Sequence, residues 1–301
     1  MKKEEWEKLL GGRLLRELCR HIPEVKSYLE GQPAGGPGRR KGGVLERARQ
    51  ADRALPEKLR QFMNGYRAEK EDGYIQLYVP FLTLGCKELH DHISGLPVYK
   101  ECIYRCFAES LLSELETLSI RILIHELRNA QLDGTAYEAF LHRLGSEGYR
   151  EELLERYSAL EKIFTQCIDG RVNLFSEVIF RFSQDKSKIQ DQIFGGESLG
   201  KIDRIETGLS DPHCLGRQVL KIRTEDGKSV IYKPHSLENE QWFHQFVSSL
   251  GARCQLDMYV PRQLSYKEYG WSEVIAHKPC ETEWGIWWTM SSTASAALWG
   301  W

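Results

Sequence analysis

The sequence has no run of apolar residues near the roughly eighteen that a membrane-spanning helix needs, which excludes a helical membrane span. Its opening, "MKKEEWEKLL", carries lysines but no apolar stretch behind them, which excludes a secretory signal. The eight cysteines include no C-x-x-C pair, so neither a zinc finger nor a redox dithiol is written here. Cys102 and Cys106, four apart on one helix face, read as small core residues because no His or Cys flanks them as a metal partner. Charge of one sign is missing too. Lys and Arg number 41 against 43 Asp and Glu, a formal net charge of −2, so no global field recruits nucleic acid or an anionic membrane. Together these absences lead to the expectation of a cytoplasmic, reduced protein.

What is present is ordinary in amount and uneven in arrangement. A hydrophobic share of 41% and a charged share of 28% over 301 residues suit one large or two medium globular domains. Residues 1–194 read as a mainly helical region. It is interrupted at 31–43 by "GQPAGGPGRRKGG", too rich in Gly and Pro for helix or strand and expected to be a mobile loop. Ile103, Phe107, Leu111, Leu115 and Leu118 recur at helical steps, and Ile120–Leu127 is apolar on nearly every side, predicting a buried helix. Gly134 predicts its end. Tyr137, Phe140, Leu141 and Leu144 begin another amphipathic segment, and "RVNLFSEVIFRFSQD" a third.

The pattern changes near Gly195. Leu220, Ile222 and Thr224 alternate with Lys221 and Arg223, the period of a strand. Asp226-Gly227 predicts a tight hairpin turn, Val230–Tyr232 the return strand, and Pro234 its end. A helix follows, with Ser236 as its cap, acidic residues in its first turn, Gly251 past its end, and Trp242, Phe243, Phe246, Val247 and Leu250 as a buried stripe. Two further strands lie in "DMYVPRQLSY" and "GWSEVIAH". The fold class expected is α+β: a helical region, then at 195–280 a small lobe of antiparallel sheet plus one helix.

That order has a chemical reading. A loop between two strands can fold over a polyphosphate, the lysine ending the next strand can reach its phosphates, and a carboxylate on the following helix can hold that lysine. Lys233 is the lysine. Glu238 or Glu240 is the carboxylate, unless these acids serve only the helix dipole. The loop "SDPHCLGR" contributes Asp211, His213 and Arg217, but it lacks the G-x-G-x-x-G of a kinase glycine-rich loop. Each also has a plain structural reading: Asp211 as a cap of its loop, His213 as a turn histidine, Arg217 as a surface ion-pair partner, Lys233 as a solvated strand end.

Residues 208–237, "GLSDPHCLGRQVLKIRTEDGKSVIYKPHSL", resemble the signature of the dehydratase domain of class II lanthipeptide synthetases, the LanM type. The matching pattern is Asp-x-His-x-x-Gly-Arg-x-Val, strand, turn and Tyr-Lys-Pro, with His235 where that family usually has Arg. "YGWSEVIAHKPC", "PFLTLGCKEL" and "LIHELRNAQLDGTAYEAFLHRL" extend the likeness over most of residues 80–280. The resemblance implies a lipid-kinase-like lobe joined to a helical domain. It implies a dehydratase that uses ATP and Mg²⁺ to phosphorylate Ser or Thr of a ribosomal precursor peptide with its leader, then eliminates phosphate to leave a dehydroamino acid. Lys233 would orient the phosphates, Asp211 and His213 would act in phosphoryl transfer or elimination, and Arg217 would be the loop's positive charge. The strand ending at Glu273–Ile275 would pass the adenine.

The family pattern continues into a second lobe with a catalytic loop and metal-binding aspartate. Here residues 281–301 instead hold five of the eight tryptophans and no charge after Glu283, the composition expected of a frameshifted or truncated reading frame. With that lobe missing, the chain alone is expected to be inactive and to lack metal ligands, unless a partner supplies a complementing lobe. The alternatives are a non-catalytic helical module that binds a peptide or partner, and a pseudokinase-like nucleotide binder.

Overall fold

The computed structural model describes residues 43–70, 73–210, 217–256 and 258–275. The expected loop at 31–43 (all but Gly43), the Trp-rich segment at 281–301, and both Asp211 and His213 lie outside the described residues. The described chain runs through helices α1 (Val44–Arg53), α2 (Glu57–Glu69), α3 (Ile75–Ile93), α4 (Lys100–Leu132), α5 (Tyr137–Leu144), α6 (Glu147–Arg156) and α7 (Ser158–Gln192). Strands β1 (Ile202–Glu206), β2 (Leu220–Thr224) and β3 (Ser229–Lys233) follow, then α8 (Glu238–Cys254), β4 (Gln263–Ser265) and β5 (Gly270–Glu273). The class is α+β, with a five-stranded sheet in the order β1-β2-β3-β5-β4 among the described residues, its β2–β3, β3–β5 and β4–β5 pairs antiparallel. The described residues form two compact units: those of 43–186 with Gly200–Ile205 and Arg217, and those of Ser187–Leu199, 206–210 and Gln218–Ile275. Among the described residues no helix is long and apolar enough to cross a membrane.

In the helical unit the periodicity of α4 does what its spacing implies. Ile103, Phe107, Leu111 and Leu115 are fully buried, and Phe107 meets Phe175 of α7 edge-on with ring centroids 5.4 Å apart. The far half of α4 departs from expectation. Ile122 and Leu123 are buried, but Ile120 and Ile124 are 39% and 42% exposed, because the neighbouring helices cover one stripe of α4 and leave its outer face to solvent. Cys102 is likewise exposed and Cys106 only half-buried, so this pair is not the core pair the spacing suggested. Gly134, at φ +80°, ends α4 in the left-handed conformation that spares glycine, and Thr135 N–H donates back to the Ala130 carbonyl at 2.8 Å.

One buried carboxylate ties α4 to the following helices. Glu126 accepts from Tyr157 Oη at 2.7 Å, from Tyr149 Oη at 3.3 Å and from Arg156 Nη1 at 2.5 Å. Burial, with the Glu126 charge next to it, pushes the Tyr149 phenol up to about 12. Both hydroxyls therefore stay protonated and remain donors over the whole range in which proteins fold.

In the sheet unit β2 alternates as its sequence does, with Leu220, Ile222 and Thr224 buried between half-buried Lys221 and Arg223. The hairpin loop holds Glu225, Asp226 and Gly227, with Gly227 at φ +81° and Thr224 N–H donating to the Lys228 carbonyl at 2.9 Å. A three-residue loop closed by a left-handed glycine is one of the common hairpin connections, so Asp226-Gly227 marks the turn although only the glycine is at positive φ. Tyr232 of β3 lies opposite Trp271 of β5 in register, and these fully buried rings, 5.1 Å apart, centre the sheet's core.

Helix α8 corrects the sequence reading most. Trp242 is 68% exposed, Phe246 51%, Leu250 40% and Phe243 36%, and Gly251 is the buried residue of the helix. An amphipathic period shows which residues share a face. It does not say that the chain has something to place against that face. Gly251 also falls inside α8, which runs on to Cys254 and stops at Gln255, φ +53°. A Cβ there would stand 3.0 Å from the Leu256 carbonyl oxygen, a tight approach where the chain folds back after the helix.

Candidate functional site

The site is built at the end of β3. Val230 and Tyr232 point into the core, so alternation sends Lys233 to the opposite face. Lys233 pairs in register with Gly270 of β5. A Cβ on Gly270 would fall 2.4 Å from Leu237, so the bare glycine backbone leaves room for Leu237 to lie fully buried at the foot of α8. Leu237 N–H donates to Ser265 Oγ of β4 at 3.2 Å, and Ser236 Oγ receives the Glu238 N–H at 3.2 Å. These contacts fix where α8 begins.

Once the helix is started there, its first turn delivers Glu240 to the lysine. Lys233 Nζ donates to Glu240 Oε2 at 2.8 Å, with 23% and 13% of the two side chains exposed. Sheltering of this degree strengthens a charged hydrogen bond without the full desolvation cost of a deep core pair. Glu238, by contrast, is exposed and turned away into solvent, its backbone amide satisfied by Ser236. Of the two glutamates that the sequence could not separate, the structure brings Glu240 to Lys233.

Two more side chains join this pair. Gln263 Nε2, from β4, donates to the same Glu240 Oε2 at 3.1 Å. His244 stands one turn beyond Glu240 on the same helix. Burial holds its imidazole below the ordinary value, with Lys233 acting the same way and Glu240 and Gln263 opposing. His244 could have been found from its four-residue step after Glu240. Gln263 had no sequence signal, because 23 residues separate it from the carboxylate it touches.

The other sequence-assigned residues are placed as follows. Arg217 belongs to the helical unit and reaches Glu177 Oε2 at 3.2 Å, with 43% of its side chain exposed. Asp211 and His213 lie outside the described residues; of their described neighbours, Val219 N–H donates to Ser210 Oγ at 3.0 Å. His235 is exposed against its neighbour's carbonyl, and Ile275 is 62% exposed. A cavity of about 230 Å³ in the helical unit is lined by Glu88, Asp91, His92 and Asp169 among others, and none of the sequence-assigned residues borders it. Its carboxylates are engaged: Arg47 joins Glu88 and Asp169, and Lys87 holds Asp91. Among the described residues no group of three or more His, Cys, Asp or Glu is arranged to hold a metal. No Mg²⁺ ligand set can be assigned to the described side chains.

A family model described as a domain of unknown function, DUF4135, matches residues 157–286. The lacticin 481/lactococcin biosynthesis protein LcnDR2 of Lactococcus lactis subsp. lactis is 25% identical over 154 residues, which cover 48% of this chain and 16% of that protein. The chain thus matches about one sixth of the length of that relative. Both findings support the likeness that the Asp-x-His-x-x-Gly-Arg and Tyr-Lys-Pro motifs first suggested.

Proposed function

From the premise that this chain is LanM-like, similar to the class II lanthipeptide synthetases, we propose that it belongs to lantibiotic biosynthesis and that its sheet unit is the nucleotide-gripping part of a dehydratase. The observation that carries this is the sheltered contact of Lys233 with Glu240. A strand lysine fixed by a carboxylate on the next helix is the part that kinases use to orient phosphates. The order hairpin, strand with lysine, helix with glutamate, then two strands supports the same kinase-like reading.

The reaction class is phosphoryl transfer to a Ser or Thr hydroxyl of a ribosomal precursor peptide, followed by loss of the Cα proton and of phosphate from Cβ. ATP supplies the phosphoryl group. This chain's residues bind and orient. Glu240 keeps the Lys233 ammonium extended so that its charge meets phosphate oxygens where they will stand during transfer, and a donor fixed in advance needs no reorganisation at that moment. Asp211 and His213 are assigned to the proton movements of transfer and elimination by their places in the motif. Arg217 is assigned the loop's positive charge by its place in the motif alone.

A second reading, a partner- or peptide-binding module without turnover, is favoured by the exposed aromatic face of α8. A ligand that binds the native state alone raises the melting temperature. A non-hydrolysable ATP analogue with Mg²⁺ should therefore stabilise the chain under the nucleotide reading and leave it unchanged under the binding-module reading. Consumption of ATP in the presence of a precursor peptide then distinguishes a dehydratase from a silent nucleotide binder.

A further inference from the structure

Resting on the nucleotide reading above, we propose that Gln263 is a positioning residue, which fixes the Glu240 carboxylate for Lys233 by donating to the oxygen that the lysine uses. The need for such a residue follows from how α8 is held. Its large apolar side chains face outward and its buried residue is Gly251, so apolar packing does little to set the rotation of the helix about its axis. Leu237 fixes where α8 starts, and a rotation of the helix about that point would swing Glu240 away from β3. What opposes the rotation is polar: Lys233 on β3 and Gln263 on β4 both end on Glu240 Oε2, at 2.8 and 3.1 Å.

The two donors come from different strands, so together they fix the oxygen in two directions rather than one. Gln263 is itself anchored, since β4 pairs with β5 and places Gln263 opposite the buried Ser272. With Gln263 removed, the carboxylate is free to turn towards solvent or towards His244, and Lys233 loses its fixed direction although its own partner is still present. Gln263 touches neither phosphate nor peptide in this scheme. It acts through Glu240.

The test is made on the full chain with Gln263→Met, which keeps length and volume and deletes the hydrogen bond to Glu240, beside Glu240→Gln and the double variant. The first readout needs no nucleotide: the acylation rate of Lys233 by a water-soluble succinimidyl ester, followed by peptide mass spectrometry. A charged hydrogen bond that holds the ammonium makes it less nucleophilic, so Gln263→Met should acylate Lys233 about three- to tenfold faster, and the double variant no faster than Glu240→Gln. A rate equal to wild type, or single-variant effects that simply multiply, would overturn the inference, because residues acting through one another are not additive. The second readout is affinity for the ATP analogue, expected to fall about tenfold in Gln263→Met with the ligand-free melting temperature little changed. If wild type fails to bind the analogue, the nucleotide reading falls while the acylation result still decides the role of Gln263.

Discussion

Lys233 and Glu240 meet 2.8 Å apart although a strand end, a proline and the first turn of a helix separate them. Leu237, seated over Gly270, brings them together by fixing where α8 starts. Most of what can be measured on this protein follows from that arrangement and from the buried glutamate of the helical unit.

Replacing Lys233 with Ala should remove the stabilisation that a nucleotide gives. At a ligand concentration of a hundred times Kd, binding contributes about 2.7 kcal/mol to the native state, which differential scanning fluorimetry resolves easily. An undiminished shift in the variant would take Lys233 out of the site.

Gly270→Ala should damage the site from a distance. The added methyl group overlaps Leu237, which is fully buried and has little room to retreat. Overpacking of this kind costs about 1–3 kcal/mol. Because Leu237 starts α8, the Lys233–Glu240 contact should loosen as well, giving a lower unfolding midpoint in urea together with weaker nucleotide binding. Stability lost with nucleotide affinity unchanged would show that α8 is positioned by something other than Leu237.

Glu126→Ala should destabilise the helical unit by about 2–3 kcal/mol, because the Tyr149 and Tyr157 hydroxyls lose their buried acceptor. Glu126→Gln should cost less, since an amide oxygen can still accept from one of them. Urea unfolding followed by far-ultraviolet circular dichroism checks both. Equal costs for the two substitutions would mean that packing, not the hydrogen bonds, is what Glu126 contributes.

Acid should weaken the fold in part through two histidines. Burial, first among the causes, holds both His244 and His90 below the ordinary imidazole value. The unfolded chain then binds more protons than the folded one as pH falls through about 6.5, so stability is complete above that pH and drains away below it. His244→Gln should flatten part of this slope between about pH 7 and 5 in unfolding measurements. A slope identical to wild type would show that His244 titrates alike in both states.

Much of the architecture could be read from the residues. Alternation gave β2 and β3, Asp226-Gly227 gave their hairpin, Gly134 gave the end of α4, and the four-residue repeat of Ile103, Phe107, Leu111 and Leu115 gave its buried stripe. These are local signals, because turn geometry and side-chain period act over a few residues. The candidate site was legible only in outline. The motif around Lys233 singled out the lysine, but Glu238 and Glu240 were equal candidates, and Gln263 carried no mark.

The sequence by itself therefore determined the helical-then-sheet order, the β2–β3 hairpin and the buried stripe of α4, because each depends on interactions between near neighbours along the chain. Tertiary structure alone decided which glutamate meets Lys233 and which outlying side chain holds it there. It also left the aromatic face of α8, and Ile120 and Ile124 of α4, in solvent. The reason is that burial and pairing are properties of what stands opposite a residue, and no period within a segment specifies its neighbour in space.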